Sequence, residues 1–181
     1  MSRYQGEVRV APGLRNCYAS GCAVQQAQGK ETNVEYKELL AEIKGVLSGE
    51  KPLERVVEVL FRVPHYSWVG IYLVRDGELV LGPWRGREAT QHVRIPIGKG
   101  ICGAAAASGK TEVVADVQND PRYLACFPST RSEIVVPILD GDRVLGEIDI
   151  DSDIPAAFTQ EDKRFLEQVA KLLVLHIREG T

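Results

Sequence analysis

Two thiols and a row of carboxylates share one stretch of this chain, from Gly98 to Asp151. Cys102 follows Gly98-Lys99-Gly100-Ile101, and Cys126 sits inside Tyr123-Leu124-Ala125-Cys126-Phe127. Glu133 lies in Ser132-Glu133-Ile134-Val135-Val136-Pro137, and Asp149 and Asp151 lie in Gly146-Glu147-Ile148-Asp149-Ile150-Asp151-Ser152. A thiolate is a nucleophile, and once oxidised to a sulfenic acid it condenses with a second thiol to a disulfide. Crowded carboxyls raise one another's pKa, which keeps a proton available near neutral pH, and those that ionise hold an ammonium. The bland alternative is a pair of small core cysteines and a solvated acidic face.

For these groups to meet, the apolar runs between them must pair in one sheet. Trp68 to Val74 reads as a strand, Asp76-Gly77 as a hairpin turn, and Glu78 to Leu81 as the return, which Gly82-Pro83 interrupts. Trp68 and Tyr72 are four positions apart and therefore share one face, as core or as an aromatic wall around a ligand. His92 to Ile97 and Thr111 to Val117 read as short strands. Ser132 to Leu139 and Arg143 to Ile150 form a second hairpin around Asp140-Gly141, with Glu147, Asp149 and Asp151 all pointing to one side. Three acids on a buried face are costly unless partnered. Cys102 leads into a short helix closed by Gly109, where the positive end of the dipole lowers a thiol pKa. The glycines before it lack the Lys-Ser/Thr ending of a phosphate loop.

Helices frame the strands. Val34, Leu39, Leu40, Ile43, Val46 and Leu47 recur at helical spacing between Asn33 and Ser48. Pro52 opens a second helix whose apolar face is Leu53, Val56, Val57, Leu60 and Phe61, ended by Pro64. Thr159-Gln160-Glu161-Asp162 caps a last helix with a stripe from Phe165 to Ile177. The first and last helices pack together and offer a homodimer surface. The expected fold is α+β: an antiparallel sheet of about six strands flanked by helices.

The chain has 181 residues, 44% hydrophobic and 26% charged, with a net charge of −3. That charge gives no footprint for nucleic acid or an anionic membrane. No apolar run reaches the roughly 20 residues of a membrane-spanning helix, and no apolar leader opens the chain. The expectation is a soluble cytoplasmic protein. Residues 1–32 read as an irregular extension ahead of a domain over 33–181. Cys17 and Cys22 in the extension have four intervening residues but no second ligand pair to complete a metal site.

Taken together, the segments resemble a GAF domain, and more narrowly the free methionine-(R)-sulfoxide reductases. The resemblance rests on Trp68-Val69-Gly70-Ile71-Tyr72, Leu81-Gly82-Pro83-Trp84, Arg94 to Gly103, Leu124-Ala125-Cys126, Ser132 to Pro137 and Asp149-Ile150-Asp151-Ser152. It covers the chain from about Tyr36 onward. It implies thiol-dependent reduction of free L-methionine-(R)-S-oxide, with Cys126 as nucleophile and Cys102 as resolving thiol. It further implies that Glu133, Asp149 and Asp151 bind and polarise the substrate, with Trp68 and Tyr72 lining the pocket. The disulfide would be recycled by a thioredoxin-type dithiol, and no metal or organic cofactor is needed. The chain departs from the family pattern in three places. Thr90-Gln91-His92-Val93 lacks a further cysteine, Phe127 replaces an acid after Cys126, and no histidine stands near Tyr123. The other function these segments accommodate is a non-catalytic GAF module that senses a small ligand or redox state.

Overall fold

The computed structural model describes residues 35–179. Cys17, Cys22 and the expected N-terminal extension lie outside the described residues. Helices α1 (Tyr36–Val46) and α2 (Pro52–Leu60) come first, then strands β1 (Trp68–Arg75), β2 (Glu78–Gly86) and β3 (Arg94–Pro96). Helix α3 (Gly100–Ser108), strand β4 (Glu112–Val114) and a 3-10 turn (Val117–Asn119) follow. The chain closes with β5 (Ser132–Asp140), β6 (Arg143–Ser152) and α4 (Gln160–Glu179).

The six strands form one sheet in the order β3-β2-β1-β6-β5-β4, with every neighbouring pair antiparallel. The α+β expectation and its strand count are met. Alternation along the two central strands assigns the faces. Val69, Ile71, Ile148 and Ile150 point toward α1, α2 and α4 and form the larger apolar core with Leu60, Leu166 and Leu173. Trp68, Tyr72 and Val135 point the other way, toward Cys102, Ala105 and Ala106 of α3. The terminal helices pack together: Tyr36 stacks on Phe165 with ring centroids 4.7 Å apart.

Several boundaries differ from the sequence expectation. Strand β2 does not stop at Gly82-Pro83. Its pairing with β1 shifts register between Gly70 and Tyr72, and a bulge at this point accommodates a proline that has no N–H for the ladder. The second hairpin turns on Gly141-Asp142, one residue later than expected, because Asp140 pairs with Arg143. Phe61 is 37% exposed; α2 ends at Leu60, and the turn that follows brings Val63 into the core instead. The expected strands over 92–97 and 111–117 shorten to three residues each, and Asp116 caps the 3-10 turn through Gln118 N–H at 3.2 Å.

Candidate active site

Strand β6 supplies the acids. Glu147, Asp149 and Asp151 alternate with Ile148 and Ile150, so burying the isoleucines on the helical face carries all three carboxyls to the other. Register on both sides fixes them: Asp151 lies between Trp68 and Glu133, Asp149 between Gly70 and Val135, and Glu147 between Tyr72 and Pro137. Glu133, Glu147, Asp149 and Asp151 are 5%, 0%, 2% and 2% exposed, which excludes a solvated acidic face.

Helix α3 supplies Cys102 from its first turn, with Lys99 as the capping residue. The Cys102 thiol donates to Glu133 Oε1 at 3.6 Å. Cys102 Sγ and one oxygen each of Glu133 and Asp149 lie within 4.8 Å of one another, a donor set able to hold a metal ion. Cys126 comes from the loop ahead of β5 and is half-buried, its thiol donating to the Leu124 carbonyl at 3.5 Å. Both thiols are free.

The electrostatics reverse one expectation. Burial pushes the Cys102 thiol well up, and Asp149, Glu147 and Glu133 add to the rise. These outweigh the helix dipole, which acts alone only where a thiol is solvated and far from acids. Burial also raises Cys126, with Asp149 and Asp151 adding and the Thr90 hydroxyl opposing. The acids shift likewise. Burial, then mutual repulsion, holds Glu133, Glu147 and Asp151 well above the carboxylate range, and burial pushes Asp149 up to about 7. At neutral pH this face therefore stores protons on both its sulfur and its oxygen atoms.

Aromatic rings close the pocket. Trp68 stacks on Trp84 at 6.2 Å and leans on Phe127 at 6.1 Å. The indole lies against two glycines: a Cβ on Gly70 or on Gly86 would stand 2.2 Å from its ring carbons. A cavity of about 70 Å³ opens beside it, walled by Trp68, Phe127, Thr130 and Asp151, with the Arg87–Asp153 ion pair at 3.3 Å also on its lining. Neither thiol is part of that wall. Tyr72 is fully buried next to Asp149 and the thiols, and its hydroxyl donates to the His92 carbonyl at 2.8 Å. Of the two expected wall residues, Trp68 lines the cavity, whereas Tyr72 is not part of its lining.

The structure thus gathers Cys102, Cys126, Glu133, Asp149, Asp151, Trp68 and Tyr72 on one side of one sheet. It adds residues given no role in the sequence reading. Glu147 was visible there as a member of the alternating acids. Phe127 stands out in the sequence only as the replacement for an acid after Cys126, and Thr130 carries no signal, because a loop has no period. His92, where the further family cysteine is missing, links two loops: its Nε2–H donates to the Ala125 carbonyl at 3.2 Å, next to Cys126.

Known proteins share this fold. The GAF domain pattern matches residues 49–177. The free methionine-R-sulfoxide reductase of Escherichia coli is 35% identical over 143 residues, 76% of this chain and 86% of the relative. The Neisseria meningitidis free methionine-R-sulfoxide reductase, solved with its substrate, is 39% identical with a TM-score of 0.75, over 81% of this chain and 92% of that one. The type II enzyme of Thermoplasma acidophilum is also 39% identical, with a TM-score of 0.67 over 78% and 96%. This chain belongs to the GAF domain family and, within it, to the free methionine-R-sulfoxide reductases, a group of oxidoreductases.

Proposed function

We propose that this protein reduces free L-methionine-(R)-S-oxide to L-methionine, with Cys126 as nucleophile, Cys102 as resolving thiol and a thioredoxin-type dithiol as reductant. The observation that carries the reading is the burial of four protonatable carboxyls beside two free thiols, under an aromatic wall. A plain ligand-sensing core has no need of such costly groups.

The chemistry follows from where protons sit. Sulfoxide reduction moves one oxygen from the substrate sulfur to Cys126 and leaves the thioether. Cys126 attacks the sulfur as its proton passes to the sulfoxide oxygen; a neutral carboxyl lends that oxygen a second proton and takes it back as the oxygen comes to rest on Cys126 as S–OH, so no bare oxide forms and the thioether leaves. The substrate ammonium lowers the pKa of every acid it approaches, and of Cys126, so substrate entry itself helps to release the thiol proton. Asp151 on the cavity wall is placed to meet that ammonium, and the buried Trp68 Nε1–H, which has no acceptor, supplies a donor for a substrate oxygen. Because the cavity stops short of the thiol, the segment from Tyr123 to Thr130 shifts when substrate reaches Cys126. Cys126 is left as a sulfenic acid. Cys102 condenses with it, forming a disulfide and water, and dithiol exchange returns both thiols.

The test couples NADPH oxidation through thioredoxin reductase and thioredoxin to free L-methionine-(R)-S-oxide. The parent turns over, Cys126→Ser does not, and Cys102→Ser completes one turnover that leaves a sulfenic acid at Cys126. Turnover in Cys126→Ser equal to the parent removes that thiol from the reaction.

A further inference from the structure

We infer that reduced Cys102, with Glu133 and Asp149, forms a binding site for a thiophilic divalent cation, and that zinc is the ion its donors fit. The claim stands on the geometry of the cluster and is independent of the reductase reading.

Donor and acceptor counting around Cys102 starts the argument. The thiol has one proton, and Glu133 Oε1 receives it. Asp149, a member of the cluster, is 2% exposed, and its Oδ1 finds no hydrogen-bond donor among the described residues. Buried oxygens without donors are costly, and a cation satisfies several at once. Spacing agrees. Tetrahedral zinc, with a Zn–S bond of about 2.3 Å and Zn–O of about 2.0 Å, sets sulfur and oxygen about 3.5 Å apart. Cys102 Sγ and Glu133 Oε1 already stand 3.6 Å apart, and the three-residue set falls within 4.8 Å, so closure onto an ion needs side-chain shifts of about 1 Å or less. The fourth position of such a three-ligand zinc site falls to a water.

The donor types choose the ion. Magnesium and calcium want an all-oxygen shell, and magnesium keeps several waters, whereas this cluster offers a sulfur in a closed interior. One thiolate with carboxylates suits zinc. Binding expels the thiol proton and carboxyl protons, so affinity rises with pH. A disulfide at Cys102 removes the sulfur ligand, so the ion and the disulfide exclude one another. Only the further consequence, that zinc halts recycling, rests on the role proposed for Cys102.

The experiment uses the full chain carrying Cys17→Ser and Cys22→Ser, reduced and freed of reductant under argon. Zn²⁺ is titrated against a chromophoric chelator, and Co²⁺ binding is followed by its thiolate-to-metal absorption. The expected result is one zinc per chain and a cobalt–thiolate band, both kept in Cys126→Ser. Cys102→Ser abolishes the band, the oxidised protein takes up no metal, and Asp149→Asn, close in shape to the parent, weakens zinc tenfold or more. Absence of stoichiometric uptake, or uptake of undiminished affinity in Cys102→Ser, overturns the site. Metal-free protein that turns over substrate but takes up no zinc sinks this inference and leaves the reductase reading intact; protein that takes up zinc but fails to turn over substrate even when metal-free does the reverse.

Discussion

Trp68 shows how much one residue depends on what its neighbours lack. Its indole sits where Gly70 and Gly86 have no Cβ, and adding one at Gly70 displaces a rigid ring that lines the cavity. Gly70→Ala is expected to raise KM for free methionine sulfoxide about tenfold, roughly 1.4 kcal/mol of lost binding, with a smaller change in kcat. Steady-state kinetics decide it: an unchanged KM in a destabilised variant would mean that the ring is packing alone. The acids permit a companion measurement. Asp149→Ala and Asp151→Ala are expected to lower kcat/KM by a hundredfold or more while the fold persists, because each removes a carboxyl on which the proposed reaction draws. Circular dichroism checks the fold, and kinetics equal to the parent in both variants would strip the acids of any catalytic part.

At the scale of elements, the most connected point is the start of α4. Thr159 and Asp162 form a reciprocal cap: Thr159 N–H donates to Asp162 Oδ2 at 2.8 Å, and Asp162 N–H donates to Thr159 Oγ1 at 3.4 Å. The same carboxylate accepts from Tyr36 on α1 at 2.5 Å, from His65 at 2.7 Å and from Tyr66 at 3.0 Å. Asp162→Ala therefore unties α4 from α1 and from the segment before β1. We expect a loss of about 3 kcal/mol in urea unfolding. A loss below about 1 kcal/mol would reduce the cluster to an ordinary cap. The cap itself was legible in Thr159-Gln160-Glu161-Asp162, since its signature is local. The three further donors were not, because Tyr36 and Asp162 are 126 residues apart and no period links them. The same division holds elsewhere. The acidic face of β6 could be read from alternation, and the first hairpin from Asp76-Gly77, whose residues both take positive φ. The run of β2 through Pro83 could not, because a bulge is decided by the partner strand. Nor could the direction of the Cys102 shift, since helix position is local and burial is not.

For the molecule as a whole, the two kinds of carboxylate pull stability in opposite directions as pH changes. Burial raises Asp162, but hydrogen bonds from His65, Thr159 and Tyr36 more than offset this and hold it well below the ordinary range. A carboxyl lowered in the folded state contributes stability that is present above its unfolded value of about 4 and lost as pH falls below it. Glu133, Glu147, Asp149 and Asp151 do the reverse, because burial raises all four. In that case the native state binds more protons than the unfolded chain, and stability declines as pH climbs from about 4 through the raised folded value, about 7 for Asp149. Above pH 4 the quartet governs, so the reduced, ligand-free protein is expected to be more stable at pH 5 than at pH 8, by a few kcal/mol on the order set by such shifts. Glu147→Gln removes one titrating member while keeping its shape, and its amide N–H can donate to neighbouring oxygens. It is expected to flatten the pH dependence and to exceed the parent in stability at pH 8. Urea midpoints of both proteins at pH 5, 6, 7 and 8 measure this directly. A parent whose stability is level or rises across that range would mean that the four carboxyls ionise as freely inside the fold as outside it, and the proton store on which the proposed chemistry draws would not exist.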